Sequence, residues 1–210
     1  TITPTGYLKD SGKKIADRLN GYTYGWVGSD NGSSRDRGTD ILEEVKKYTF
    51  NHMQNSFSNK SWEIELPNGE YNVTISAGDP SYKDSYYKIA AENTLVVDFN
   101  AEAPGNTQYW AVNTKTVSVT DGKLTISNAE GSDNNKINYI EITPASGESL
   151  CSRANLNDDT VVNDLDKNIL LQNIFSTTPN PSRADINGDG IVNILDYSFL
   201  MTHLGDTCSP

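Results

Sequence analysis

The sequence predicts two folds in tandem: an all-β unit, a sandwich or barrel, over residues 1–143, and a small α unit of two loop-helix repeats over residues 151–210. Three observations carry this. Short runs of alternating apolar and polar residues recur through the first two thirds of the chain, separated by Gly, Asn and Asp turn signals. A twelve-residue stretch rich in Asp and Asn occurs twice, at 155–166 and 185–196, each copy followed by apolar residues at helical spacing. Between the two regimes lies PASGESL, 144–150, a linker by composition.

Taken in order, the opening TITPTGYLKD lacks the charged start and apolar core of a signal peptide, as expected of a mature or trimmed product. GYTYGWVGSDNGSSRDRGTD, 21–40, reads as Gly-rich loop. TDILEEVKKYTF, 39–50, has the composition of a short helix, or is a loop crossing one end of the sandwich. Strands are expected at WEIEL 62–66, YNVTISA 71–77, TLVVDF 94–99, KTVSVT 115–120, KLTIS 123–127 and KINYIEI 136–142. LPNGEY and TDGKL read as tight hairpin turns, and NAEGSDNN, 128–135, as a longer polar connection. Beyond the linker, LDKNILLQNIF, 165–175, and LDYSFLMTHLG, 195–205, have helical spacing. Leu165, Ile169, Leu170 and Phe175 mark the apolar face of one, and Leu195, Phe199, Leu200 and Leu204 that of the other. TTPNPSR, 177–183, breaks the chain between them.

The chain has 210 residues, with 28 acidic and 17 basic side chains and a net charge of −11. That balance argues against nucleic acid, which selects basic surfaces, and fits carboxylates used on cations. No apolar run reaches the roughly 20 residues of a membrane helix. The two cysteines, Cys151 and Cys208, bracket the repeated loops. Their even count and placement point to a disulfide closing the C-terminal unit, two free thiols being the alternative. A structural disulfide implies an oxidising setting, hence a secreted protein.

The repeats have the spacing of a cation loop. A hard cation takes oxygen donors from several directions, and a twelve-residue loop supplies them at positions 1, 3, 5, 7, 9 and 12. The first copy offers Asn155, Asn157, Asp159, the Val161 carbonyl, Asn163 and Asp166. The second offers Asp185, Asn187, Asp189, the Ile191 carbonyl, Asn193 and Asp196. Gly190 stands at position 6, where a sharp turn needs positive φ, while the first copy has Thr160 there. The first loop also carries two ligand carboxylates against three, so it is expected to bind Ca²⁺ more weakly. Val162 and Val192, at position 8, are expected to pack inward between the paired loops.

This half, about 151–208, resembles a type I dockerin, with Asp at position 12 and Val-Asn at positions 8 and 9. The resemblance implies two Ca²⁺ ions, metal-dependent folding in the manner of two F-hand repeats, and docking to a cohesin through one helical face. Positions 10 and 11, which help read the cohesin in that family, are Asp164-Leu165 and Ile194-Leu195 here, and differ from the family's usual Ser-Thr pair and from each other. A calcium-stapled spacer with no cohesin is the alternative.

The β half shows no catalytic constellation. His52 and His203 are the only histidines, and no GxSxG elbow occurs, so an enzyme is not expected. Aromatic and polar residues in loop-like stretches point instead to sugar binding, in which rings cover a CH face and polar groups bond hydroxyls. The candidates are Tyr24, Trp26, Arg35, Arg37, His52, Asp79, Tyr82 and Asp133. The bland reading is that Tyr and Trp are core residues of a sandwich. YTYGW at 22–26, RDR at 35–37, NHMQ at 51–54, PNGEYNVTISAGDPSY at 67–82 and TDGKLTISNAEGSDNNKINYIEI at 120–142 resemble malectin-like and galactose-binding-like jelly rolls. The resemblance implies a jelly-roll β-sandwich with a sugar site on loops at one end. By matching loops it places Tyr24, His52, Tyr82 and Asp133 in that site, His52 standing where the family has an aromatic. Related modules hold a structural Ca²⁺ near the last strand, where this chain has Asn138, so no third ion is expected.

The expectation is a secreted, monomeric, non-catalytic carbohydrate-binding module joined to a calcium-loaded dockerin, part of a larger polysaccharide-degrading enzyme. The rival is an extracellular adhesion or spacer domain whose dockerin-like unit is a structural staple. In a third version the sugar site stands but the C-terminal unit packs on its own sandwich.

Overall fold

The structure, a computed structural model, describes residues 3–28, 34–38, 45–55, 58–145, 150–188 and 190–208. Its strands in chain order are β1 (Ala16–Asp17), β2 (Thr23–Val27), β3 (Ser34–Asp36), β4 (Thr49–His52), β5 (Gln54–Asn55), β6 (Ser58–Asn59), β7 (Ser61–Glu65), β8 (Gly69–Gly78), β9 (Tyr86–Ala91), β10 (Thr94–Asn100), β11 (Trp110–Val119), β12 (Lys123–Asn128), β13 (Lys136–Ile137) and β14 (Tyr139–Pro144). The helices are α1 (Val45–Tyr48), α2 (Leu150–Ala154), α3 (Asp164–Gln172) and α4 (Ile194–Thr202).

Two antiparallel sheets form the sandwich. One has the order β1-β2-β7-β12-β9-β10 and the other β11-β8-β14. Their inner faces are set by alternation, because successive side chains of a strand point to opposite sides. Tyr71, Val73, Ile75 and Ala77 of β8 are buried, and so are Trp62 and Ile64 of β7, Leu124 and Ile126 of β12, and Tyr87, Ile89 and Ala91 of β9. Thr74, Asn72, Thr114 and Thr116 face outward, Thr74 and Thr114 paired Oγ1 to Oγ1 at 2.7 Å and Thr116 donating to Asn72 at 2.8 Å. A small sheet β13-β4-β3 closes one end.

Several expectations change here. Residues 23–27 are not loop but β2, inside the six-stranded sheet. The period of two in T-Y-G-W-V therefore turns Tyr24 and Trp26 into the core. Of the helix considered at 39–50, only Val45–Tyr48 is helical; Thr49 and Phe50 belong to β4, and 39–44 lie outside the described residues. KINYIEI is two strands, because the chain changes sheets at Asn138. The Asn138 amide nitrogen fixes that crossing by donating toward the carbonyls of Lys47, Thr49 and Gly78 at 2.9, 3.2 and 3.1 Å. β9 and the start of β11 were not foreseen. Polar Lys88 and the Asn113-Thr114-Lys115 stretch hide the apolar alternation there.

The C-terminal unit has its own core, Leu156, Val162, Leu170, Ala184, Ile186, Val192 and Leu200, and shares no residue with the sandwich core. The repeats pair reciprocally. Gly205 N–H donates to the Val162 carbonyl at 2.8 Å, and Phe175 N–H donates to the Val192 carbonyl at 2.7 Å. Both valines are fully buried. Leu170 and Leu200 fill the interior, whereas Leu165, Phe175, Leu195 and Leu204 are exposed, so the apolar face is narrower than the spacing implied. The unexpected α2 starts where the linker was drawn to end, and Cys151 on it is joined to Cys208 with Cα atoms 5.4 Å apart.

Candidate functional site

The predicted sugar residues fall into two groups. Tyr24 and Trp26 are 5% and 3% exposed. They belong to a buried aromatic layer: Trp26 and Trp62 both donate their indole N–H to Asp10 Oδ2, at 2.9 and 2.7 Å, and Tyr24 packs on Trp62. Both rings are packed in the core rather than set on an open loop. Burial raises the Asp10 pKa above the usual carboxylate range despite those bonds.

The second group gathers at the end closed by β13-β4-β3. Arg37 grips Asp79 with two parallel bonds, Nε to Oδ1 at 3.0 Å and Nη2 to Oδ2 at 2.6 Å. Its guanidinium lies 4.9 Å from the centre of the Tyr82 ring and 5.4 Å from that of Phe50. Asp79 is almost fully buried and also accepts from Ser81 N–H at 2.9 Å, which shapes the turn that carries Tyr82. Tyr82 itself is 54% exposed. His52 sits edge-on to Phe50, ring centres 5.4 Å apart, and pairs across the sheet with Lys136. Burial, with the charges of Lys136 and Arg35, lowers the His52 pKa to about 4, so the ring is neutral at ordinary pH. Asp133 exchanges main-chain bonds with Tyr86 at the start of β9, 3.0 and 3.1 Å, and no bond ties it to Arg37, Asp79 or Tyr82 among the described residues. Arg35 is exposed on β3 and donates to its neighbour Ser34's carbonyl at 2.9 Å.

One residue of this end was not foreseen. Lys136, almost fully buried, donates to Asp84 Oδ1 at 2.9 Å and to Ser85 Oγ at 2.7 Å. The signal was present: a lysine in register with the apolar face of a strand needs a partner. Arg37 and Lys136 are therefore both paired with carboxylates. Among the described residues this end presents the exposed Tyr82 ring, with the neutral His52 imidazole and the paired Asp79 and Asp84 carboxylates in the same region.

In the C-terminal unit, the two loops share one backbone course. Positions 4 and 6 have positive φ in both, at Asp158 and Thr160 in the first and Gly188 and Gly190 in the second. The position-12 carboxylates are buried and organise each loop. Asp166 accepts from the N–H groups of Leu156, Asn157 and Asn163 at 2.7, 3.1 and 2.8 Å. Asp196 accepts from those of Asn187 and Asn193 at 3.0 and 2.8 Å. Asn163 and Asn193 cap α3 and α4, each Oδ1 accepting from the leucine two residues on at 2.7 Å. That use of the oxygen favours their reaching a cation through water. Asp159 Oδ1 accepts from Val161 N–H at 3.0 Å, and Asp185 Oδ2 from Gly190 N–H at 2.9 Å. Asp189 lies outside the described residues.

These residues fit calcium. The donor set is all oxygen, Asn155 Oδ1 at position 1 is buried without a hydrogen-bond partner, and a hard cation would satisfy it. Amides and main-chain carbonyls share the donor set with the carboxylates in both loops. Asn155, Asn157, Asp159, the Val161 carbonyl and Asp166 would hold one ion, and Asp185, Asn187, Asp189, the Ile191 carbonyl and Asp196 the other.

Residues 155–205 match the family described as the type I dockerin domain, a calcium-binding family. No curated protein matches the chain. Among solved structures, β-glucuronidase 2 of Bacteroides uniformis is 13% identical at a TM-score of 0.42, covering 58% of this chain and 14% of its own. Protein YXIM of Bacillus subtilis is 21% identical at 0.41, covering 68% and 38%. A CBM35 module of Paenibacillus barcinonensis is 18% identical at 0.33, covering 60% and 94%. The chain thus spans well under two thirds of the first two proteins. No helix among the described residues is long and apolar enough to cross a membrane.

Proposed function

We propose that residues 1–143 are a non-catalytic carbohydrate-binding module and that the dockerin-like unit, loaded with two Ca²⁺, anchors it to a cohesin-type scaffold outside the cell. The module serves a larger polysaccharide-degrading enzyme. The observation that carries the sugar reading is Tyr82, more than half exposed, its ring backed by an Arg37 that Asp79 holds in place. A pre-organised exposed ring of this kind would cover a sugar's CH face at low entropic cost, with His52 and Asp133 as candidate partners for hydroxyls. Arg37 and Lys136 are neutralised by Asp79 and Asp84, which favours a neutral glycan over a uronic or sulfated one. Exposed Leu165, Ile194 and Leu195 on the starts of α3 and α4 support the scaffold-docking half.

The test is a glycan array probed with the full chain. Binding to a neutral polysaccharide class, lost in Tyr82→Ala with the fold intact, is expected. Silence across neutral and acidic glycans would shift the sandwich to an adhesion or spacer role. One observation favours the reading in which the C-terminal unit is fixed to its own sandwich: Arg153 of α2 donates to the Asn68 carbonyl at 3.1 Å and to the Tyr71 hydroxyl at 3.3 Å. That contact involves none of the exposed Leu165, Ile194 and Leu195, so the two readings are compatible.

A further inference from the structure

The turn between β7 and β8 meets the second calcium loop. Asn68 in that turn bonds three separate segments. Its N–H donates to the Asn187 carbonyl at 2.6 Å, and its Nδ2 to the Gly188 carbonyl at 3.0 Å. Its Oδ1 accepts from Gly122 N–H at 2.8 Å, and its carbonyl accepts from Arg153 Nη1 at 3.1 Å. Arg153 also reaches the hydroxyl of Tyr71, whose ring is fully buried in the sandwich core and whose O–H donates to the Pro67 carbonyl at 2.8 Å. Two glycines permit the approach. A Cβ on Gly69 would stand 2.5 Å from Arg153 Nη2, and one on Gly188 would stand 3.3 Å from Asn68 Cβ.

Inside the loop, Asn187 N–H donates to Asp196 Oδ1 at 3.0 Å. Position 3 is therefore held from within by the position-12 carboxylate and from outside by the sandwich. The first loop has the inner half, Asn157 N–H on Asp166 Oδ1 at 3.1 Å. Its position 4, Asp158, is tied instead to Arg183 of the same unit, at 2.6 Å. The repeats are alike inside and differ in what braces them.

We propose that Asn68 is a positioning residue for the second calcium loop: the sandwich holds the backbone of Asn187 and Gly188 in the metal-binding course. Calcium then binds that loop more tightly in the intact chain, and by linkage calcium there fixes the two units against each other. This rests on the calcium reading of the loops. The full chain, labelled with ¹⁵N, is titrated with Ca²⁺ in chelator-buffered solution, and the amides of Thr160 and Gly190 report each loop separately. Asn68→Ala is expected to weaken calcium at Gly190 by about tenfold, the usual effect of removing a support behind the ligands, and to leave Thr160 unchanged. Arg153→Ala, which removes the bond to the Asn68 carbonyl and leaves the Asn68 side chain in place, is expected to act at Gly190 in the same direction. Unchanged affinity at Gly190 in Asn68→Ala, or equal weakening of both loops, overturns the proposal. No response of either amide in the unaltered chain overturns the calcium reading as well, and so separates the two failures.

Discussion

Position 6 of each loop offers a reciprocal test of what the two repeats cost to fold. Thr160 stands there at φ +75° in the first loop and Gly190 at φ +92° in the second. A β-branched side chain in the left-handed region costs about 1–2 kcal/mol. Glycine loses about 0.5–1 kcal/mol more chain entropy on ordering. Strain outweighs that entropy, so Thr160→Gly should stabilise the first loop by about 0.7 kcal/mol, the difference between the two. Because loop ordering is coupled to metal binding, that corresponds to about threefold in calcium affinity. The Thr160 carbonyl accepts from Cys208 N–H at 2.7 Å, a main-chain contact that survives in glycine. Gly190→Thr isolates the same strain, since a Cβ there meets no atom within 4 Å, and should lose about as much. Calcium titration in chelator-buffered solution, read at residues 160 and 190, measures both. If Thr160→Gly weakens its loop, or Gly190→Thr costs nothing, backbone strain is not what separates the repeats.

Other outcomes follow from the same geometry. Replacing both Cys151 and Cys208 with serine should cost the C-terminal unit about 4 kcal/mol, from reopening a loop of 57 residues, read as a fall in its calorimetric transition; a loss under about 1 kcal/mol would contradict this. His52 has a folded pKa of about 4 against an ordinary 6.5, so the unfolded chain binds the extra proton between them. Sandwich stability is therefore full above pH 6.5 and declines as pH falls toward 4, by about 1–2 kcal/mol after discounting for partial exposure, and His52→Gln should flatten that decline in thermal melts. Asn138→Ala leaves the carbonyls of Lys47, Thr49 and Gly78 without their donor and should cost about 2–3 kcal/mol in urea unfolding; a change within about 0.5 kcal/mol would mean water replaces the amide freely. Chelation should loosen the C-terminal unit while the main sandwich transition persists, because the two cores share no residue; one joint transition in calorimetry would refute that separation.

Much of the β half was legible because alternation is a local property. Val73, Ile75, Leu124 and Ile126 could be placed inside from their own neighbours. The errors came where local grammar was ambiguous. Gly25 between Tyr24 and Trp26 read as loop, yet at φ +147° it lets Arg18 and the Lys13 carbonyl approach a strand backbone, within 2.4 and 2.7 Å of where a Cβ would stand. The two aromatics beside it went to the core. Arg37, His52, Asp79 and Tyr82 were each marked as candidates, but nothing in the sequence joined Arg37 to Asp79 across 42 residues or seated Lys136 beside His52.

By itself the sequence determined the mostly β class with its small helical C-terminal part, the repeated loops, the inward Val162 and Val192, and the cysteine pair, because each depends on spacing within a few residues or on a count. Only the tertiary structure decided which aromatics are presented and which are buried, which cations are already neutralised, and that the second loop alone leans on Asn68. Those outcomes depend on where the sheets bring distant segments together, and burial and electrostatic pairing are properties of that arrangement rather than of any one stretch of chain.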